Sequence, residues 1–274
     1  YPNLEIVISD DCSTDGTWGI LQDYAIRDSR IRLLPKDINR GYVNNFVRVF
    51  RECSGDLISP SDQDDIWHPT KTRRLMESIE DSSLIYCNNR FVDENGKPIG
   101  KNFADTAHMI SGSDPRNLLL SSSVCGHTML FKKHLLKTAS KLDSAPYIDW
   151  MIAFLAAKEG HICYLDEVLV DWRKHEASTS AHANRMDSAS RDKTFSDDIG
   201  MLSAFAKIPG DHQSLAIEAL NKLKKWRASW IDLSMFFFVL RHGSITHYSH
   251  PARFPALKYF LGHKMKKFIR PNFY

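Results

Sequence analysis

Hydrophobic and polar positions along this chain alternate between a strand period and a helix period. Residues 4–9 are a short β-rich run closed by polar residues, which predicts a strand. A loop dense in turn residues follows over 10–17. Residues 17–28 then place Trp18, Leu21, Tyr24 and Ala25 at helical spacing. A second strand is expected over 31–34, a loop over 37–41, and a helix over 44–53 with Phe46, Val49 and Phe50 on one face. A third strand, 56–59, runs straight into Asp62-Gln63-Asp64-Asp65. A helix over 69–80 begins with Pro69 in its first turn. A strand at 83–87 and a hairpin-like turn at Asp93-Glu94-Asn95-Gly96 come next. Further on, the pattern predicts a strand over 124–131 and helices over 132–141 and 149–159. Gly160 closes the last helix, and one or two strands follow over 162–170. Residues 179–193 are polar and weakly patterned, a linker or mobile-loop candidate, and helical signal resumes at Phe195.

Strands alternating with helices over roughly the first 90 residues predict an α/β fold, its largely parallel sheet flanked by helices, with a C-terminal helical extension. Ligands bind beyond the carboxyl ends of such strands. Two acidic loops sit at those ends, Asp10-Asp11 after the first strand and Asp62 to Asp65 after the third.

Composition narrows the class. The chain has 274 residues, 43% hydrophobic and 25% charged, which excludes a disordered chain and a disulfide-stapled miniprotein. Cys12, Cys53, Cys87, Cys125 and Cys163 are scattered without C-x-x-C spacing, the pattern of reduced thiols in a cytosolic protein. No apolar run approaches the length of a transmembrane helix, and no signal peptide opens the sequence. The expected location is cytoplasmic, extending to a peripheral position on the inner face of the plasma membrane. The net charge of +3 hides an asymmetry: residues 222–274 carry 11 Lys/Arg against one acid, Asp232, a net of +10 that leaves −7 for the rest. Residues 215–240 also carry Trp226, Trp230, Leu233, Phe237 and Leu240 at helical spacing, flanked by Lys222, Lys224, Lys225, Arg227 and Arg241 and, further on, by Lys264, Lys266, Lys267 and Arg270. Basic and aromatic residues interleaved on helices fit an interfacial membrane contact. The same pattern fits a helical subdomain packing its aromatics on a core. No nucleic-acid motif accompanies the charge, so nucleic acid is not an expected partner.

The acidic run at 62–65 is the sharpest chemical feature. Carboxylates this close repel unless a cation neutralises them, and hard oxygen ligands suit Mg²⁺ or Mn²⁺ with open positions for phosphate oxygens. The plainer reading is a polar turn with capping acids. In the first loop, a carboxylate of Asp10 or Asp11 can accept from a nucleobase or ribose, while Ser13 or Asp15 can cap the following helix. Asp149 stands at the expected start of a helix, as a general base or as a capping acid. His175 can ligate a divalent metal or shuttle a proton. Arg173 can neutralise a leaving diphosphate or form a surface ion pair.

Taken together these segments resemble the inverting family 2 glycosyltransferases of the GT-A fold. Glu5 to Thr17 resembles that family's strand and nucleotide-binding acidic loop. Asn39-Arg40-Gly41-Tyr42-Val43-Asn44-Asn45-Phe46 resembles the glycine-asparagine segment of its rhamnosyltransferase-like branch, and Ser61 to Lys71 that branch's D-Q-D-D-x-W-x-P-x-K signature. Gly126-His127-Thr128-Met129-Leu130-Phe131 is similar to the strand lining the acceptor side, Ile148-Asp149-Trp150 to the segment of the catalytic acid, and Trp172-Arg173-Lys174-His175 to a Y-R-x-H element. The matches cover roughly residues 3–180 in order.

The resemblance implies a catalytic domain over 1–180 and a helical region over 181–274. It implies Asp149 as the base that deprotonates the acceptor hydroxyl. Donor binding falls to Asp10, Asp11, Ser13, Asp15, Gly41, Asn45, Asp62 and Arg173, metal binding to Asp64, Asp62 and His175, and acceptor contact to Trp67, Gly126 and Trp150. The expected function is a metal-dependent inverting transfer of a sugar, rhamnose being the branch's hint, from a nucleotide-diphosphate donor to a saccharide or lipid-linked acceptor in surface polysaccharide synthesis. Family members usually open with one further strand–helix unit, so the expectation includes an N-terminally incomplete domain. Two rivals stand beside it. A nucleotidyltransferase needs a Gly-rich phosphate loop, and none is visible. A non-catalytic remnant would bind a partner or membrane through its tail.

Overall fold

The computed structural model describes residues 1–175, 188–249 and 254–269. Most of the polar stretch 179–193, together with Arg270, lies outside the described residues. In chain order the elements are β1 (Ile6–Ile8), α1 (Thr17–Arg27), β2 (Ile31–Leu33), α2 (Tyr42–Glu52), β3 (Leu57–Ile58), β4 (Ile66–Trp67), α3 (Lys71–Ser78), β5 (Leu84–Val92), β6 (Pro98–Asn102), β7 (Met129–Lys132), α4 (Ile148–Glu159) and β8 (Ile162–Arg173). The helices α5 (Ser188–Ala206), α6 (Gln213–Ala228), α7 (Ser234–Thr246) and α8 (His263–Ile269) follow.

The sheet is mixed, where the pattern predicted a largely parallel one. β1 and β2 pair in parallel as a sheet of their own. The second sheet has the order β3-β7-β5-β8-β4, with β6 also on β5. Within it only β5 and β8 are parallel. The reason is connectivity. A helix between strands permits a parallel crossover, as α1 does for β1 and β2 and α4 does before β8, whereas the tight turn at Asp93 forces β6 antiparallel to β5. The core strand β5 is buried from Leu84 to Asn89, so it cannot show the alternation of a half-exposed strand. A register shift over Cys87, Asn88 and Asn89 interrupts its pairing with β8. The Asn88 side chain occupies that bulge, accepting from the amides of Asn89 (2.9 Å) and Ala104 (3.2 Å).

Several elements differ from expectation. The helix expected over 132–141 is a 3₁₀ run, Lys133–Ser144, anchored where Lys133 N donates to Asp56 O (2.8 Å). The strand expected over 124–131 is preceded by a 3₁₀ turn, Gly126–Thr128. Gly160 does close α4, but with an extended φ of −173° rather than a left-handed one. Glycine suits this position because an added Cβ would run into the Ser83 side chain. The helical spacing over 215–240 is broken between α6 and α7, where Asp232 caps Ser234 N (2.6 Å) and Gly262 N donates to Trp230 O (3.1 Å).

One hydrophobic core runs from Val47 and Phe50 of α2 through β5, β7 and α4 to Phe205 of α5, Trp226 of α6 and Met235 of α7. Phe154 of α4 stacks on Phe205 at 4.1 Å between ring centroids. The C-terminal helices therefore bury the face of α4 that lies behind Asp149. Phe154→Ala should lower unfolding free energy by about 3–5 kcal/mol in denaturant titrations. Ile26→Ala, at a position 84% exposed on α1, should change it by no more than about 0.5 kcal/mol.

Candidate functional site

The first acidic loop is held by its own carboxylates. Asp10 is buried, and its Oδ1 accepts from the Ser13 amide (3.2 Å) and hydroxyl while Lys36 Nζ lies 3.2 Å from Oδ2. Burial opposes ionisation of Asp10, but the Ser13 hydroxyl and the Lys36 ammonium outweigh it and hold the carboxyl below its ordinary range. Asp11 accepts from the amides of Arg40 (2.7 Å) and Gly41 (2.9 Å). Gly41 has a φ of +74°, which glycine adopts readily, and it opens α2. Asn45 pins the end of β1, donating to Ser9 O (3.1 Å) and accepting from Ser9 Oγ (2.6 Å). Asp15 accepts from Thr17 N (3.0 Å), a turn that leads into α1, but the N-cap position is Gly16 and no side chain caps the helix, contrary to the capping expectation for Ser13 or Asp15. The expected donor-binding residues of this loop thus converge, with their side chains largely engaged in shaping the loop itself.

The second acidic loop is placed by β4. Pairing of Ile66 with Asp171 and of Trp67 with Val170 lays residues 62–65 alongside the end of β8. Arg173 clasps the loop: its amide donates to Asp65 Oδ1 (3.0 Å) and its Nε to Asp64 O (2.8 Å). This cation is committed to the loop backbone. His175 Nε2 lies 2.8 Å from Asp64 Oδ2, which unites two of the three expected metal ligands. The third, Asp62, turns toward a different imidazole. His127 Nδ1 faces Asp65 Oδ2 at 3.4 Å and Asp62 Oδ2 at 3.6 Å.

Asp62, Asp65 and His127 offer ligand atoms within 4.8 Å of one another, the one such group among the described residues. The Asp65 side chain is 1% exposed and its Oδ2 has no hydrogen-bond partner. Burial, with Asp62 and Asp64 adding to it, raises the Asp65 pKa against the lowering effect of His127. On the far side of the imidazole, Asn89 Nδ2 lies 2.9 Å from Nε2, and the buried Asn89 Oδ1 is unpartnered. Turning that amide over would satisfy Oδ1 against an Nε2–H and leave Nδ1 free to ligate, the arrangement histidine ligands commonly take. Two carboxylates, one of them orphaned and buried, and an imidazole fit Mn²⁺ or Mg²⁺.

The turn Gly126–Thr128 joins this group to Asp149. Gly126 N donates to Asp149 Oδ2 (3.3 Å), and Trp150 N donates to Oδ1 (2.8 Å). Burial raises the Asp149 pKa, the two amides lower it, and the nearby Asp62 raises it further; the net direction is upward. Beneath the turn, the fully buried Lys71 donates to His127 O (2.8 Å) and lies 3.1 Å from the Trp67 ring centroid. Burial pushes its amine down to about 7. Of the expected acceptor contacts, Gly126 touches Asp149. Trp67 packs against the core between α3 and β8, under Lys71. Trp150 donates from Nε1 to Leu118 O (2.6 Å) and stacks with Tyr147. Sequence reading passed over His127, Asn89 and Lys71 as individual residues. His127 carried a signal, a histidine beside the glycine of a recognised segment. Lys71 carried one as well, as the last residue of the D-Q-D-D-x-W-x-P-x-K signature, while Asn89 carried none. Trp172 faces His127 at 4.9 Å, and Lys174 covers Trp172 at 3.2 Å.

Comparison with known proteins shows the family and the fold. Residues 1–138, half of the chain, match the glycosyl transferase family 2 model. UDP-Glc:α-D-GlcNAc-diphosphoundecaprenol β-1,3-glucosyltransferase WfaP of Escherichia coli is 28% identical over 149 residues, 54% of this chain and 55% of that protein. Chondroitin synthase of Escherichia coli is 30% identical over 132 residues, 47% of this chain and 18% of that one. The chain thus spans about half or less of the length of these relatives. Among solved structures, S. aureus TarS in complex with UDP-GlcNAc superposes with a TM-score of 0.57 at 17% identity, covering 89% of this chain and 65% of that one. Mannosyltransferase PcManGT from Pyrobaculum calidifontis, in complex with GDP-Man and Mn²⁺, gives 0.53 at 15% identity, covering 93% and 68%. These two share the GT-A-like fold. With half its length matched, and with both acidic loops inside the matched part, the chain belongs to glycosyl transferase family 2.

Proposed function

We propose that this chain transfers a hexosyl unit, with inversion, from a nucleoside diphosphate sugar to a saccharide or lipid-linked acceptor in surface polysaccharide synthesis. The observation that carries the reading is the turn at Gly126–His127, whose first residue bonds the Asp149 carboxylate and whose second faces Asp62 and Asp65. Asp149 accepts the proton of the acceptor hydroxyl, whose oxygen attacks the anomeric carbon from the face opposite the leaving diphosphate. Its raised proton affinity suits a base. The Gly126 and Trp150 amides fix both its oxygens. Asp62, half-exposed, faces the donor sugar or ribose. Asp11 keeps lone pairs beyond its two amide bonds for a nucleobase N–H. Asp62, Asp65 and His127 would hold a divalent cation, with Asp64 and His175 as the alternative pair. A cation there supplies positive charge against the diphosphate oxygens. The nucleotide sugars and Mn²⁺ bound in TarS and PcManGT support this choice of donor and metal, and the undecaprenol-linked acceptor in the name of WfaP supports a lipid-linked one. The narrower rhamnosyl assignment rests on the two segments that resemble that branch, residues 39–46 and the D-Q-D-D signature. A location on the inner membrane face follows from such an acceptor.

A second reading, a binding module without turnover, is favoured by one observation: β1 and β2 form a sheet separate from the six-stranded one. The experiments separate the two. Calorimetric titration with UDP, dTDP and GDP should show binding that requires Mn²⁺ or Mg²⁺ and is lost in Asp65→Ala. Absence of binding by every nucleotide would overturn the donor site. Of the two histidines, His127→Ala should weaken metal affinity by about tenfold or more and His175→Ala by less; the reverse order would place the cation at Asp64. Asp149→Asn should keep nucleotide binding and lower kcat by about 10²–10⁴; unchanged turnover would remove Asp149 from catalysis. The sign of the pH dependence follows from burial. Asp149 must be ionised to act, so kcat/KM should fall on the acid side with a midpoint above the ordinary aspartate value, about 4. The residual activity of Asp149→Asn should lack that limb.

A further inference from the structure

We infer that α7 and the 3₁₀ segment Pro255–Tyr259 form a docking face for an anionic lipid surface. The inference rests on the lipid-linked acceptor reading and supplies its partner surface. No helix among the described residues is long and apolar enough to cross a membrane. Yet large apolar side chains here are left in water. Leu233, Phe237 and Leu240 are exposed at positions i, i+4 and i+7, one face of α7, while Met235, Phe238 and Val239 on the other face are buried in the core. Phe254, Leu257 and Phe260 are also exposed, and their spacing of three eclipses them on one side of the 3₁₀ segment. The two rows meet: Phe236 lies 5.6 Å from Phe260 and 5.3 Å from Phe237 between ring centroids. Trp230 and Ile231, exposed by 51% and 66%, extend the patch at the α6–α7 break. Scattered single exposed apolars are ordinary, but joined rows of this size mark an interaction surface.

The charge on this face chooses the occupant. Arg241 follows Leu240, Lys258 follows Leu257, and Lys264 N bonds Ser229 O (3.3 Å) beside Trp230; all three side chains are exposed. Residues 222–274 carry a net +10. A second copy seated on the same face would set that charge against itself, whereas anionic headgroups complement it, and Trp and Phe favour the interfacial depth. The helix lies in the plane of the interface with its apolar row inward and its cations among the headgroups. The inner side of α7 packs on the segment beside α4, where Leu120 N donates to Thr246 O (3.0 Å) and Trp150 is bonded to Leu118 O, so the docking face belongs to a helix anchored next to the site.

The test is sedimentation of the full chain with vesicles of phosphatidylcholine, with and without phosphatidylglycerol. Binding is expected only to the anionic vesicles and should fall as salt rises. Phe237→Asp with Leu257→Asp should weaken it by about tenfold or more, and Arg241→Gln with Lys258→Gln by about fivefold per charge. The glutamine pair sits at exposed positions and keeps the test alive if the aspartate pair misfolds. Absence of binding to anionic vesicles, equal binding to both vesicle types, or variants that bind like the parent would overturn the inference. A lipid-free dimer in sedimentation velocity that Phe237→Asp dissociates would overturn it in favour of a second copy. Nucleotide binding measured on the same variants separates the two readings. Vesicle binding lost in the variants with nucleotide binding kept is the expected result; vesicle binding absent in a parent that binds nucleotide fails only the docking face, and nucleotide binding absent in a parent that binds vesicles fails only the donor site.

Discussion

Three carboxylates within four residues, brought to a partly buried sheet edge, repel one another, and much of the surrounding structure serves to hold them there. Asp62, Asp64 and Asp65 each meet a different neighbour. His127 faces Asp62 and Asp65, His175 faces Asp64, and Arg173 binds the loop through both its amide and its guanidinium. The most buried of the three, Asp65, keeps one oxygen without a partner, and burial, with a smaller contribution from Asp62 and Asp64, raises its pKa. A cation is the group that would relieve the repulsion. Such crowding of acids is common for a binding site and uneconomical for a structural turn.

Holding such a loop requires a rigid support, and the support is a short turn rather than a long element. Gly126–Thr128 carries on its backbone the contact to Asp149 and on its side chain the contact to the acids. Asn89 fixes the ring of His127 from the bulge in β5, and Lys71 fixes its carbonyl from α3. Bulges re-aim side chains, and the Asn88 bulge directs Asn89 at His127. The first acidic loop follows a different economy. Its carboxylates are spent mainly on shape, Asp11 on the amides of Arg40 and Gly41 and Asp10 on Ser13 and Lys36, so that the loop stands at a fixed height above β1.

The C-terminal helices join these parts to the rest of the molecule. Their aromatics divide between two tasks that sequence spacing ran together. Trp226 is buried, stacked with Phe195 and hydrogen-bonded to Leu261 O, so the subdomain reading holds for it. Trp230, Phe237 and Leu240 stand in solvent. The break between α6 and α7 makes the division, because it turns the second helix relative to the first. All five cysteines are free thiols, and none takes part in the carboxylate network by hydrogen bond.

By itself the sequence determined what local patterning and side-chain chemistry fix: the early strand and helix order, the two acidic loops at strand ends, Asp149 at the head of a helix, and the family. Those features depend on neighbours in the chain, so spacing and turn chemistry expose them. Tertiary structure alone decided which partners the carboxylates take. Asp62 and Asp65 meet His127 across more than sixty positions of sequence because β4 pairs with β8 and the turn at 126 precedes β7, a juxtaposition no periodicity encodes. The same holds for the mixed sheet, since strand direction follows from how each connection crosses the layer, and for the buried lysine at position 71. A lysine in a helix with Pro69 before it carries no mark of burial. Only the packing of α3 against β5 and β8 removes it from water and sets it under His127.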